Sequence, residues 1–402
     1  MIFHDGKGEE TKSSDKSVGG IGRSRRSAMS RTVGAEMNPW SVWLDPWQGY
    51  LDQWSKALGG NIFRLHRSIE PCEITQRKSA TPYRVALESN NFALLDFSRE
   101  DNQITMPPAL IVTPYALHDW RIADLAHYHS LVEALINQGV TSLYVLAWKS
   151  AQFETRHNRI DSQFDALSQV INHFGKAVNV VGLCQGGWLS LAYVARFPEA
   201  FSRLALIGAP VDFAHSAATI HAMDDNLIDA SINWLSLAGG GVIRGWSTQS
   251  LWRIKFGEGS DRSRALEETD ADITAHPVIA DIYDAWDADV LDLPPVYFGD
   301  VLKQLYRDND MIEGRFKVLD QCISLKSVTC PLLIMIGRDD EVVPEDQIGT
   351  ITNSVSTPLE MIQILQADCG HLALFLGKKT LENQWPVIAR WLLSPRTETS
   401  SN

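Results

Sequence analysis

One cysteine lies where the sequence pattern favours a nucleophile. Cys184 stands between Gly182 and Gly186 in the spacing G-x-C-x-G. Residues 177–183 form a short apolar run that predicts a buried strand, and residues 188–196 have a helical pattern. The cysteine thus falls on a sharp strand-to-helix turn, a nucleophile elbow, where flanking glycines avoid steric collision. The helix N-terminus favours a thiolate and an oxyanion beside it. The alternative is an inert cysteine between two packing glycines.

A nucleophile of this kind needs a base and a group that orients the base. A late predicted strand runs into the spacing G-x-x-D-x-x-x-P, in which Asp340 lies four residues before the proline. Asp339 and Glu341 are competing carboxylates. The last predicted strand leads to a glycine followed by His371. The order nucleophile, acid, histidine, each at a strand end, predicts a Cys184–Asp340–His371 catalytic triad.

Two backbone N–H groups would complete an oxyanion hole. One is that of Gln185, directly after the nucleophile, and the other belongs to the loop after an early strand, where we place Tyr115. A thiolate exchanges readily with a thioester, since the entering and leaving groups have similar basicity. The acyl-cysteine stays activated for attack by a hydroxyl, which favours acyl transfer from a thioester over ester hydrolysis.

The remaining elements predict the scaffold. The following ranges are predicted as strands: 83–87, 91–97, 109–113, 141–148, 177–183, 203–208, 331–336 and 359–365. The following are predicted as helices: 124–138, 161–174, 188–196 and 381–393. Strands that alternate with helices indicate a parallel sheet with right-handed crossovers. Together with the elbow and the triad order, this predicts an α/β fold of the α/β-hydrolase type, a mostly parallel sheet with an inserted helical lid.

The domain organisation follows from changes in composition along the chain. We expect a disordered tail at 1–36, a Trp-rich helical segment at 37–60, the first part of the core at 61–211, a helical lid at 212–312, the second part of the core at 313–395 and a disordered tail at 396–402. Two interpretations of the Trp-rich segment stay open: a helix packed on its own domain, or an apolar docking face.

Composition narrows the classes of function. The chain has 402 residues and a formal net charge of −13, which argues against nucleic-acid binding. No run of 18 or more apolar residues predicts a transmembrane helix, and no apolar segment follows the basic N-terminal residues as in a secretory signal. The five cysteines are scattered without CxxC pairing, so we expect no metal site, no disulfide framework and a cytoplasmic location.

Several motifs resemble those of the poly(3-hydroxyalkanoate) synthases, most closely the class III catalytic subunits. The resemblance covers about residues 109–393. Its motifs are Gly182-Leu-Cys184-Gln-Gly-Gly187, Gly208-Ala-Pro-Val-Asp-Phe213, Leu305-Tyr-Arg-Asp-Asn309, Leu325-Lys-Ser-Val-Thr-Cys-Pro331 leading to Asp340, and Cys369-Gly-His371-Leu. A tryptophan-containing stretch from Trp286 to Pro294 resembles the family's lid. The chain differs from the family at Glu341, where a histidine is usual, and at His118 and Arg121.

The resemblance implies a function and partners. Cys184 would carry the acyl group and the growing chain, His371 would be the general base, and Asp340 would be its partner or would activate the incoming 3-hydroxyl. The substrates would be 3-hydroxyacyl-CoA thioesters, with no further cofactor. The partners would be the polyhydroxyalkanoate chain or granule surface, and a second copy or a second synthase subunit.

Two other functions compete with a synthase. The same triad suits a thioesterase or depolymerase, which gives the acyl group to water. A non-catalytic granule or partner protein would use the Trp-rich segment as its docking surface, although an intact triad argues against it.

Overall fold

The structure, a computed structural model, describes residues 79–99, 106–214, 224–256, 262–269 and 277–395. The predicted tails 1–36 and 396–402 and the Trp-rich segment 37–60 lie outside the described residues. The domain boundaries set out above therefore stay predictions.

An eight-stranded sheet forms the centre of the fold. Its strands run in the order β1-β2-β6-β3-β7-β8-β11-β12. Their bounds are β1 Arg84–Glu88, β2 Phe92–Asp96, β3 Ala109–Val112, β6 Leu143–Trp148, β7 Val178–Leu183, β8 Phe201–Ile207, β11 Leu332–Gly337 and β12 Ile362–Ala367. The first two strands pair antiparallel and β2 pairs antiparallel with β6, whereas every later pairing is parallel. The predicted α/β-hydrolase fold, with its mostly parallel sheet, is confirmed.

The inner strands are buried along their whole length and mostly apolar, because helices cover both faces of the sheet. Every residue of β7, β8 and β11 is buried. Alternate residues of one strand enter different cores: Leu110 and Val112 pack on one side, and Ala109 and Ile111 on the other.

Twelve α-helices surround the sheet in the described ranges. They are α1 Leu131–Asn137, α2 Ile160–Phe174, α3 Gln185–Arg196, α4 Asp225–Ala238, α5 Gly245–Phe256, α6 Arg262–Leu266, α7 Pro277–Ala288, α8 Pro295–Asp300, α9 Glu345–Ser354, α10 Ala373–Leu376, α11 Lys378–Asn383 and α12 Trp385–Leu393. Helices α2 and α3 contribute to one core, and α1 and α12 to the other. None of the helices in these ranges has the length and apolarity that a membrane crossing needs.

The predicted helix from Asp124 to Gln138 is wrong in its first half. A small hairpin occupies that stretch, with β4 Asp124–Ala126 and β5 His129–Ser130, and α1 begins only after it. Tyr128 has a φ of 68°, which no right-handed helix contains. Ser130 caps α1, since its side chain accepts a hydrogen bond from the Glu133 N–H at 2.8 Å. The spacing of the apolar residues predicted a longer helix because it reflects which positions are buried and does not reveal the hairpin turn at Tyr128.

Between β8 and β11 the chain leaves the sheet. Its described parts contain α4 to α8, then a π-helical stretch, Val301–Arg307, and a short hairpin of β9 Lys317–Val318 and β10 Gln321–Cys322. Within residues 224–256, 262–269 and 277–312 the secondary structure is helical apart from two isolated β-bridges.

Candidate active site

At the elbow the backbone is strained and packs closely against neighbouring backbone atoms. Cys184 has φ 47° and ψ −118°, directly after β7 and at the start of α3. A Cβ atom on Gly182 would lie 2.6 Å from the Gly187 Cα, and one on Gly186 would collide with the Val112 carbonyl oxygen. Only glycine fits at both positions. The turn therefore presses against the end of β3, from which the loop with Tyr115 starts.

The structure brings the three predicted triad residues together. His371 follows β12 and Asp340 follows β11, neighbouring strands that pair in parallel, so both residues lie at the same sheet edge as Cys184. The Nδ1 atom of His371 lies 2.8 Å from Oδ2 of Asp340, and Cys184 is near enough to the imidazole to affect its pKa. The histidine and the aspartate are buried, and the cysteine is partly buried.

Asp340 is fixed through both of its carboxylate oxygens. Oδ1 accepts hydrogen bonds of 2.8 Å from the N–H groups of Val342 and Val343, which leaves Oδ2 for His371. The two competing carboxylates point elsewhere: Asp339 is exposed, and Glu341 forms an ion pair with Arg264 at 3.2 Å. Of the three acidic neighbours, Asp340 alone meets the histidine.

The electrostatics of this pair favour an imidazolium. Burial by itself would lower the pKa of His371. The Asp340 carboxylate and the neighbouring Cys184 outweigh that penalty, through charge and hydrogen bonds, and raise the pKa of His371 well above its usual range. A proton that leaves the thiol is therefore held well on the ring.

The two predicted oxyanion donors are the first residue of α3 and a residue of the loop after β3. Gln185 is the first residue of α3, so its N–H is one of the helix's initial four that have no partner within the helix. Tyr115 is buried, with its ring 5.0 Å from that of Tyr297 and 5.5 Å from that of Trp148. Burial and, secondarily, Asp292 raise the pKa of the Tyr115 phenol, so the phenol stays protonated at neutral pH.

Sequence reasoning missed residues from the segment between β8 and β11, which contains the predicted lid. Tyr306, on the π-helical stretch, lies near enough to Gln185 and Cys184 for both to affect the pKa of its phenol. Arg264, on α6, donates to the carbonyl oxygen of Asp339 at 2.7 Å. Tyr306 is part of a family-like motif in the sequence, but nothing in that motif indicated its side-chain contact. Arg264 has no sequence signal.

Comparisons with known proteins agree with this geometry. No protein-family model matches the chain. Among curated proteins, the poly(3-hydroxyalkanoate) polymerase subunit PhaC of Allochromatium vinosum is 22% identical over 320 residues, which is 78% of this chain and 88% of that protein. The corresponding subunit of Thiocystis violacea is 24% identical over 293 residues, 71% of this chain and 78% of the relative. This chain is similar to the poly(3-hydroxyalkanoate) polymerases. The predicted resemblance is confirmed, as is the prediction of an enzyme related to them.

The chain is also similar to solved structures of other proteins. An enol-lactonase from Burkholderia xenovorans superposes with a TM-score of 0.47 at 12% identity, covering 78% of this chain and all (100%) of the other. A monoacylglycerol lipase from Paleococcus ferrophilus gives a TM-score of 0.45 at 13% identity, with 71% and 95% covered. The fold assignment depends on the sheet order and the elbow.

Proposed function

We propose that this protein is an acyltransferase that polymerises 3-hydroxyacyl-CoA into polyhydroxyalkanoate through an acyl-cysteine, with release of coenzyme A. The observation that carries the proposal is the thiol of Cys184 at a nucleophile elbow, against the His371–Asp340 pair. The similarity to polymerase subunits over more than 70% of the chain supports the substrate class.

The first half-reaction loads the enzyme. His371 takes the proton of the Cys184 thiol, and the thiolate attacks the thioester carbonyl carbon. The oxyanion of the tetrahedral intermediate would be stabilised by the N–H groups of Gln185 and Tyr115. The bond from carbon to the coenzyme A sulfur then breaks, and the imidazolium returns its proton to the departing thiolate.

The second half-reaction extends the polymer. His371 removes the proton from the 3-hydroxyl of a second acyl unit, and the resulting alkoxide attacks the acyl-cysteine. An ester bond forms and the Cys184 thiolate leaves. Because both Asp340 oxygens are already engaged, the contacts favour a role in orienting His371 rather than in activating the hydroxyl directly.

An apolar cover supports transfer to a hydroxyl rather than to water. The segment between β8 and β11 contributes apolar side chains that are each at most 2% exposed: Trp286, Leu291, Leu293 and Tyr297. A polymerase must keep water from the acyl-cysteine while it admits a 3-hydroxyl, and a dry apolar cover suits that requirement.

The remaining features of the proposal follow from this chemistry. Nucleophile, base and orienting acid are all side chains, so the mechanism requires no cofactor beyond the acyl-CoA substrate. The protein would work in the cytoplasm at a granule surface, together with a second copy of itself or a second synthase subunit.

The test is turnover of 3-hydroxybutyryl-CoA, with released thiol and acyl products followed together. A polymerase releases thiol while acyl groups accumulate as oligomer or polymer. If each released thiol is matched by one free 3-hydroxy acid, at several acyl chain lengths and with a candidate second subunit added, the protein is a thioesterase and the proposal is wrong. The Cys184→Ala variant serves as the blank.

A further inference from the structure

We propose that the lid holds the oxyanion loop in place, and that Asp287 and Asp289 are the positioning residues that do so. The oxyanion loop is residues 114–121, and the lid tail is residues 286–293. The role in catalysis depends on the function proposed above, whereas the contact between the two segments can be tested without it.

The backbones of the two segments meet directly. The Leu291 N–H donates to the Leu117 carbonyl oxygen at 2.6 Å, and His118 forms an antiparallel bridge with Val290. Leu117 has a φ of 60°, a left-handed conformation that a leucine adopts only when its surroundings impose it. The contact with the lid tail lies at this strained residue.

Side chains add a hydrogen bond and an ion pair beside that bridge. His118 Nε2 lies 3.0 Å from Asp287 Oδ1, and its ring stacks on Trp286 with centroids 4.1 Å apart. Arg121 Nη2 donates to Asp289 Oδ2 at 2.8 Å. The side chains of His118 and Arg121 are only 12% and 13% exposed, so water screens these contacts less than it would at the surface.

One member of each pair is also held from a second side. The Nε atom of Arg121 donates to both oxygens of Asp119, which is 1% exposed. On the lid, the Gln249 amide donates to the Asp287 carbonyl oxygen at 2.5 Å. The two pairs therefore join elements that are already ordered, so they transmit position instead of merely tethering a loose chain.

The core holds the loop at both ends, and the lid tail contacts the stretch from Leu117 onwards. At its start the sheet holds it, since the Thr113 hydroxyl donates to Leu146 O at 2.7 Å and the Val112 carbonyl oxygen packs against Gly186. At its far end Trp120 is buried in the core, with its ring 5.3 Å from that of Tyr83 and 6.2 Å from that of Phe97. Tyr115, the predicted oxyanion donor, lies between. A shift in its N–H weakens transition-state stabilisation more than substrate binding.

The experiment removes the lid carboxylates and leaves the loop sequence intact. We compare wild type, Asp287→Ala, Asp289→Ala and the double variant, with Asp287→Asn as the conservative replacement that keeps a hydrogen-bond acceptor. Asp284→Ala is the matched control, because Asp284 is one turn earlier on α7 and its ion pair, at 2.8 Å, is with Arg262 of the lid's own α6.

Two measurements are made on each variant: kcat and KM from thiol release with an acyl-CoA, and amide hydrogen exchange of the two segments. For the double variant we expect faster exchange in residues 114–118, a fall in kcat of about tenfold or more, and a KM within about twofold of wild type. Asp287→Asn should recover most of the loss of Asp287→Ala, and Asp284→Ala should match wild type.

Specific results would overturn the proposal. Unchanged exchange in 114–118 would show that the lid tail does not hold the loop. Faster exchange with unchanged kcat, or a rise in KM alone, would show that it does not position a catalytic group. If a single or double variant unfolds, the milder Asp287→Asn and the exchange data decide. A failure of the proposed polymerase would instead appear in the wild type, as free hydroxy acid or as no thiol release, and leaves the exchange comparison valid.

Discussion

The triad and the lid contacts around it are built in different ways. Cys184, Asp340 and His371 each follow a strand of one sheet, so the parallel pairing of those strands brings them together. The lid meets the core through pairs such as His118–Asp287, whose members are 169 residues apart in the chain. A short stretch of sequence predicts where a strand ends, whereas no short stretch predicts a pair between residues so far apart. The two regions should therefore respond differently to substitution.

The largest effect should come from the nucleophile. We expect Cys184→Ala to abolish acyl transfer, and His371→Gln to reduce it by at least about a thousandfold, since neither step proceeds without the thiolate and its base. Both variants should keep the wild-type circular dichroism spectrum. Mass spectrometry of enzyme treated with a slowly processed acyl-CoA should find a thioester on Cys184.

Another cysteine provides the control for this prediction. Burial raises the pKa of the Cys369 thiol to about 12, so it is protonated at neutral pH and a poor nucleophile. Cys369→Ala should therefore retain activity. An acyl label on Cys369 or Cys330 would contradict the assignment of the nucleophile.

Substitution of Asp340 should lower activity far more than substitution of the neighbouring Glu341. Asp340→Asn should lower kcat by roughly a hundredfold to a thousandfold, because an amide cannot stabilise the imidazolium and favours the wrong tautomer of His371. Glu341→Gln should change kcat by about twofold or less, since Glu341 contacts Arg264 and not the histidine. Steady-state thiol release measures both. Equal losses in the two variants would mean that the pair of carboxylates acts as a unit.

The sequence predicted the fold class, and it predicted that Asp340 and His371 lie together, for physical reasons. A buried parallel strand is a short apolar run, and the residue after it lies at the sheet edge where sites form. The glycines at 182 and 186 are required by backbone contacts that any residue with a Cβ would break. These requirements act within a few residues, so they can be read from a single sequence.

Other features were beyond local patterns. The false helix at Asp124 arose because apolar spacing does not register a left-handed residue such as Tyr128. Tyr306 reaches Gln185, and Arg264 reaches the loop of Asp339, only because the lid folds back over the core. Such contacts depend on tertiary packing, which the spacing of apolar residues along the chain does not predict.

An effect of intermediate size, on the pH dependence of stability, should come from a buried carboxyl of the β4–β5 hairpin. Asp124 accepts hydrogen bonds from the N–H and the hydroxyl of Thr81 and from Ser130, yet burial outweighs them and raises its pKa from 3.8 to about 6. The folded protein then holds a proton that the unfolded chain has released. The free energy of unfolding should therefore fall as pH rises from about 4 to about 6, by roughly 3 kcal/mol from this group.

Urea unfolding of wild type and Asp124→Asn between pH 4 and 7 measures this effect. The variant cannot ionise, so the difference in unfolding free energy, wild type minus variant, should decrease across that range. Asp368→Asn, at a side chain that is 81% exposed, is the control and should run parallel to wild type. Parallel curves for Asp124→Asn as well would contradict the raised pKa.

The smallest effect should come from the lid's contact with the acid loop, through Arg264. Its guanidinium donates to the Asp339 carbonyl oxygen at 2.7 Å and lies so close to Gly370 that a Cβ there would be 2.9 Å from Nε. Its ion pair with Glu341 joins side chains that are 50% and 45% exposed, so that pair contributes about 0–1 kcal/mol.

Removal of the Arg264 guanidinium should therefore lower kcat more than removal of the Glu341 carboxylate. We expect Arg264→Ala to lower kcat about threefold to fivefold, because the loops of Asp340 and His371 lose a shared contact, while Glu341→Gln stays within about twofold. Arg264→Lys should fall between them, since an ammonium keeps the charge and loses the planar fork. Steady-state kinetics with a double-mutant cycle measure the coupling, for which we expect less than about 1 kcal/mol. A loss in Arg264→Ala as large as that in Asp340→Asn would remove the distinction between the two regions, because the lid would then be as necessary to the triad as the strand ends themselves.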